Sequence, residues 1–353
     1  MLYYLLPKID SKLIVTPSDT VEDCPLYISH SLYKYSNAIQ TKLKKHHINY
    51  NNLYDNNNLY DNNNLDDNVL NQFSKIESRS ELFYELVEFL IVSNNNHECF
   101  ITHPSKILYI TPHYADSYNS VEFFKKKYNY THTNSYTHFN NTTEYFNSNN
   151  TDKFEFIFFE MPVYDFVDVN AYIIHFLKIF MTIIKTQCDN GCCLIKLNYI
   201  YHKPIIDILF LLSSIYSKIY LIKPSLVGTT DYKYVFCKYF NNSPDISNQN
   251  YKMLDVFLNK PDLKNITQIV NYDTPAYFIY KINEINLIIG QQQLELCRQL
   301  LHIYTGQNTL FKLEQHKQKN VQKCIDWCVK MNIPYQDITD NFDLDTNDHH
   351  VLI

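Results

Sequence analysis

Between residues 78 and 240 the apolar positions fall into short continuous runs that alternate with helical stripes. Leu82, Leu86, Phe89 and Leu90 recur at helical spacing over 78–92, with Ser78 placed as N-cap and Glu81 three residues on as its capping-box partner. Ile107–Ile110 and Phe154–Phe159 are short and almost wholly apolar, as strands buried on both faces of a parallel sheet must be. The pattern then predicts a helix over Val169–Lys185, a strand over Cys192–Leu197, a helix over Ile205–Tyr216, and strands over Lys218–Ile222 and Tyr232–Tyr239. The short connection between the last two lets them pair antiparallel. Strands alternating with helices in this order read as a doubly wound α/β domain.

Three stretches break the pattern. Residues 51–68 repeat a six-residue Asn-rich unit with Leu53, Leu59 and Leu65 in register, too polar to fold alone. Residues 131–152 are rich in Asn, Thr and Ser and read as a polar insert. From about residue 249 the sequence becomes helix-rich, with Leu294–Tyr304 and Gln315–Met331 as helices; Val321, Cys324, Ile325 and Cys328 form one stripe of the latter, which Pro334 ends. The organisation expected is an N-terminal extension (1–73), an α/β domain (74–245) and a helix-rich tail (246–353) that packs on that domain.

Composition removes several chemistries. There are four glycines in 353 residues, where average usage would give roughly 25. Gly191, Gly228, Gly290 and Gly306 all lie in the second half, so an intact GxGxxG turn or P-loop is excluded. Part of this depletion matches the Asn-, Lys-, Ile- and Tyr-rich usage of an AT-rich genome. A net charge of −6 does not favour whole-surface nucleic-acid binding, and Lys42–Lys45, Lys125–Lys127 and Lys317–Lys319 read as solvated faces. Nine cysteines without a CxxC read as reduced thiols rather than as a disulfide framework or zinc site, although Cys188, Cys192 and Cys193 cluster and Cys324 and Cys328 lie one turn apart. No run reaches the length of a membrane span, and MLYYLLPKIDSK lacks the basic start and cleavage site of a signal peptide. The expectation is therefore an intracellular protein without a membrane or metal partner.

Six segments carry a resemblance: ISHSLYKY (28–35), SRSELFYELVEF (78–89), FEFIFFEMP (154–162), GCCLIKL (191–197), KPSLVGTTDYKYVFCKYF (223–240) and CIDWCVKMNIPY (324–335). In order and spacing the chain resembles the FtsJ-like ribose 2′-O-methyltransferases, in the divergent form found in large nucleocytoplasmic DNA viruses. The resemblance implies a Rossmann-like methyltransferase sheet, S-adenosylmethionine held in a Gly-rich turn after the first strand, and a Lys-Asp-Lys-Glu tetrad that orients a ribose hydroxyl and stabilises the developing alkoxide. It also implies placement in the host cytoplasm or virion, with RNA, capping or transcription proteins, or another virion component as partners.

Carried over residue by residue, that tetrad is altered. The first Lys falls on Glu85, the Asp on Glu160, the second Lys on Lys196 and the Glu on Lys233. One position is retained, one changed conservatively and two reversed in charge. The reversal suggests that ion pairs Glu160–Lys196 and Glu85–Lys233 replace the catalytic arrangement. In the cofactor turn, Pro112 is followed by Ala115 and Asp116 at the glycine positions, where a Cβ and a carboxylate crowd the methionine end of the cofactor. The expectation is a catalytically degenerate methyltransferase fold without a cofactor; the alternative is an active S-adenosylmethionine-dependent RNA cap 2′-O-methyltransferase. His103 and His113, lacking a placed carboxylate, read as loop histidines, and Trp327 as a packing residue.

Overall fold

The structure, a computed structural model, describes residues 1–27, 29–45, 74–76, 80–95, 103–148, 150–162, 168–225, 232–306 and 309–335. The Asn-rich repeat at 51–68, Ser78 and Gly228 lie outside the described residues. Nine strands are described, in chain order β1 (Leu2–Leu6), β2 (Ser18–Thr20), β3 (Lys106–Ile110), β4 (Ser135–Phe139), β5 (Phe154–Glu160), β6 (Gln187–Leu197), β7 (Tyr216–Lys223), β8 (Lys233–Phe240) and β9 (Asn265–Gln268). The helices are α1 (His30–Lys45), α2 (Glu81–Asn95), α3 (Tyr114–Lys127), α4 (Thr142–Asn147), α5 (Val169–Thr186), α6 (Lys203–Ile215), α7 (Pro244–Leu258), α8 (Ala276–Thr305) and α9 (Thr309–Lys330).

Seven strands form the central sheet in the order β1-β7-β8-β6-β5-β3-β4. β3 pairs in parallel with β4 and β5, and β5 with β6; β8 is antiparallel to β6 and β7, and β1 to β7. Five strands therefore run one way, while β8 and β1 run the other. A parallel sheet whose last-made strand inserts antiparallel between two parallel ones is a Rossmann-like methyltransferase sheet, as the sequence led one to expect. The crossover from β3 leads through α3 to the β4 edge, whereas β5 leads through α5 to β6 on the other side. The crevice between β3 and β5 is thus the topological switch point, where open α/β sheets place ligands.

The two faces of the sheet separate by strand alternation. One face carries Tyr109, Phe158, Leu194, Tyr234 and Phe236 and packs against α2, α3 and the end of α9. The other carries Ile110, Phe159, Ile195, Leu197 and Val235 and packs against α5 to α8. Helix α5 is the one helix among the described residues long and apolar enough to cross a membrane, and most of it is buried in the core. Its N-terminus is capped by the Asp168 carboxylate, which accepts from the Ala171 N–H at 2.8 Å.

Two expectations about domain edges need correction. Within the supposed polar insert, Ser135–Phe139 pair with the whole of β3, so this segment forms the sheet edge. A half-exposed edge strand needs apolar residues on only one side, which hides it in composition. Likewise, the N-terminal extension supplies β1, with Leu2 opposite Lys223, and α1, which packs on α8 where Leu32 approaches Gly290 closely enough that a Cβ would sit 2.6 Å from its side chain. The end of α9 packs on the sheet, and β9 pairs with β2 in a two-stranded sheet.

Candidate functional site

The C-terminal ends of β3, β5 and β6 bring together three of the four tetrad positions. Lys196, near the end of β6, points to the α2 face, and its ammonium lies 2.9 Å from Glu85 Oε2 and 3.9 Å from Glu160 Oε1. Glu85 projects from the middle of α2, every one of whose positions from Leu82 to Ile91 is buried. That helix starts at Glu81, and Ser80 caps it: the Phe83 N–H donates to the Ser80 hydroxyl at 3.3 Å.

The fourth position does not join. Antiparallel register sets Tyr234 opposite Lys196 and Lys233 opposite Leu197; neighbours along a strand face opposite sides. Lys233 therefore lies on the other face, where its ammonium donates to the Asn198 carbonyl at 2.9 Å. The expected Glu85–Lys233 pair is replaced by Glu85–Lys196. Tyr234, which sequence reasoning passed over, donates its hydroxyl to Glu85 Oε2. The one available cue was its place in alternation with the strand position opposite Lys196.

This cluster is largely buried and charged. Glu85 is fully buried, Lys196 nearly so, and Glu85 Oε1 has no hydrogen-bond partner among the described residues. Burial pulls the Lys196 ammonium towards neutrality, but Glu85 and then Glu160 outweigh it and hold its pKa above the ordinary value. Burial, reinforced by Glu85, raises the Tyr234 phenol well above its usual range. The face of Tyr232 lies 4.7 Å from the same ammonium, a cation–π contact that takes up a further side of it.

The turn after β3 is tied to β5. Thr111 donates its hydroxyl to Glu160 Oε2 at 2.6 Å and accepts the His113 N–H at 3.0 Å. His113 Nδ1 lies 2.9 Å from the same Glu160 oxygen. The structure thus gives His113 the carboxylate partner that its sequence context did not reveal, because the two are 47 positions apart. His138 Nε2 meets the Thr111 carbonyl at 2.9 Å, and Tyr114 stacks on the His138 ring at 4.5 Å. Pro112 and Ala115 are exposed, and Asp116 stands in the first turn of α3, where a carboxylate complements the helix dipole.

The turn that the resemblance assigns to S-adenosylmethionine holds no glycine between Thr111 and Asp116, and the Thr111–Glu160–His113 hydrogen bonds join the two sides of the switch-point crevice. Among the described residues no group of His, Cys, Asp and Glu could hold a metal ion, and the described cysteines are free thiols. Trp327 is buried edge-on to Tyr84 at 5.9 Å, a packing residue as expected.

No protein-family model and no curated protein matches this chain. Among solved structures it is similar to the crystal structure of human Methyltransferase-like protein 13 in complex with SAH, at 11% identity and a TM-score of 0.24, covering 51% of this chain and 90% of that one. A likeness that distant supports nothing by itself; strand order and direction carry the assignment to the methyltransferase-like fold.

Proposed function

We propose that this chain is a methyltransferase-fold protein that does not transfer methyl groups and serves as a binding or structural partner. The sequence resemblance suggests a setting in viral RNA capping, transcription or virion assembly. One observation carries the reading: Lys196, the tetrad position retained in sequence, has its ammonium engaged by buried Glu85 and by the Tyr232 ring. A lysine that must stabilise a transition-state charge has to meet the substrate. Here its charge is spent on a carboxylate that lies in the place of the family's other lysine. Calorimetric titration with S-adenosylmethionine and S-adenosylhomocysteine tests the reading. No saturable heat is expected, and micromolar affinity would overturn it.

One observation favours a second reading, an active S-adenosylmethionine-dependent ribose 2′-O-methyltransferase with a rearranged site. Glu160 engages His113 Nδ1, and the imidazole is 56% exposed, so Nε2 is the ring nitrogen left to act as a general base at the switch point. Transfer of labelled methyl groups to capped RNA, abolished by His113→Ala, would establish that reading in place of the first.

A further inference from the structure

A cavity of about 450 Å³ opens where β7 ends and β1 begins, away from the switch point. Leu2, Pro224, Ile289 and Leu296 give it an apolar lining. Its polar groups include Lys223 at the end of β7, Ser225 after it, Gln292, Glu295 and Gln299 on α8, Lys323 on α9, and the Met1 amino group, which is paired with Glu88 at 3.0 Å. The spacing of 289, 292, 296 and 299 sets these positions on one face of α8. Opposite them, the Lys223-Pro224-Ser225 turn is held by Glu88 of α2, whose carboxylate accepts both the main-chain N–H and the hydroxyl of Ser225. The Lys223 ammonium is itself oriented by the Tyr232 carbonyl at 3.2 Å. The cavity therefore has one fixed wall and one helical wall.

We propose that this cavity binds a nucleoside monophosphate, either free or as the terminal nucleotide of an RNA. Its volume falls in the range of small-molecule sites, roughly 300–1,000 Å³. Two lysines against one carboxylate favour an anion, and ammonium groups on phosphate form charge-assisted hydrogen bonds. Gln292 and Gln299 offer amides, each donor and acceptor at once, which suit the edge of a base. Glu295 can accept the O–H of a ribose hydroxyl. Leu2 and Leu296 supply an apolar surface for the face of a base, which inorganic phosphate would leave uncovered. None of the residues lining the cavity belongs to the Lys196 cluster, so the proposal stands whether or not methyl transfer occurs.

The test is calorimetry on the full chain with AMP, GMP, CMP and UMP, the matching nucleosides, inorganic phosphate, and a short RNA with and without a 5′-phosphate. At least one monophosphate is expected to bind saturably, with the nucleoside and inorganic phosphate each weaker by about tenfold or more, the worth of a lost charge-assisted contact. Lys323→Glu and Gln299→Ala, both at exposed helix positions, should each weaken binding by about tenfold at an unchanged unfolding midpoint. Tighter binding of 5′-phosphorylated RNA than of the mononucleotide would assign the RNA end as the source; binding of the mononucleotide alone would assign the free nucleotide. Absence of nucleotide binding, or binding that neither substitution alters, would overturn the proposal. A methyl-donor ligand at the switch point would be indifferent to Lys323→Glu, so failure here and failure of the non-enzymatic reading are distinguishable.

Discussion

Lys196 and Glu85 form an ion pair sealed between a strand and a helix, and the energetics of such pairs are asymmetric. Removing one partner strands a charge in the core, at about 3–5 kcal/mol, whereas replacing both with apolar groups of similar volume is often neutral. Lys196→Met and Glu85→Leu should each lower the urea midpoint substantially, and the double variant should recover most of the loss. Exchanging charges at 85 and 233 should recover nothing, since Lys233 faces the other side of the sheet. Lys196, Glu160 and Glu85 were all singled out in sequence, by the resemblance alone. What could not be read there was the partner of Glu85, because it depends on the one-residue register that puts Tyr234, rather than Lys233, beside Lys196; the expected Glu160–Lys196 contact is present at 3.9 Å. The His113–Glu160 contact was hidden for a related reason: it joins the ends of two strands whose adjacency is a property of topology, not of spacing.

At the scale of elements, the central strands and the helices between them were visible because burial on both faces leaves near-continuous apolar runs. β5 is the plainest case, with Ile157, Phe158 and Phe159 almost fully buried. The edge strands were not, since β1 and β4 need satisfy only part of that demand. The last helix was legible from its cysteine and valine stripe, yet its destination was not: α9 closes on the same sheet face as α2, through Trp327 against Tyr84. This is the chain's one tryptophan, so its fluorescence reports that closure directly. Native protein should emit as a buried indole, poorly quenched by acrylamide, and shift to the red on unfolding. Trp327→Ala should cost about 3–5 kcal/mol, the usual loss for a large aromatic removed from a core.

For the whole molecule, a buried histidine, His202, and a half-buried one, His175, set an acid limit. Burial, with Lys178 adding to it at His175, pushes His175 and His202 down to about 4 from an ordinary 6.5. Both are neutral in the folded state while the unfolded chain takes up protons below about pH 6.5. Their contribution is complete above that pH and is lost as pH falls from about 6.5 towards 4, by at most about 3 kcal/mol for each site. Urea midpoints measured between pH 7.5 and 5 should fall (about the range where the unfolded histidine titrates), and His175→Gln should flatten the slope.

The antiparallel pairing of Leu2 with Lys223 also sets an order of events during synthesis. The strand made first finds its place only after the penultimate strand of the sheet has been made, so β1 must emerge and wait, with its leucines and tyrosines uncovered, while most of the sheet is assembled. Until Lys223 has left the ribosome, the exposed flank of the nascent sheet and the idle strand are two halves of an unfinished edge, open to capture by chaperones or by other nascent chains.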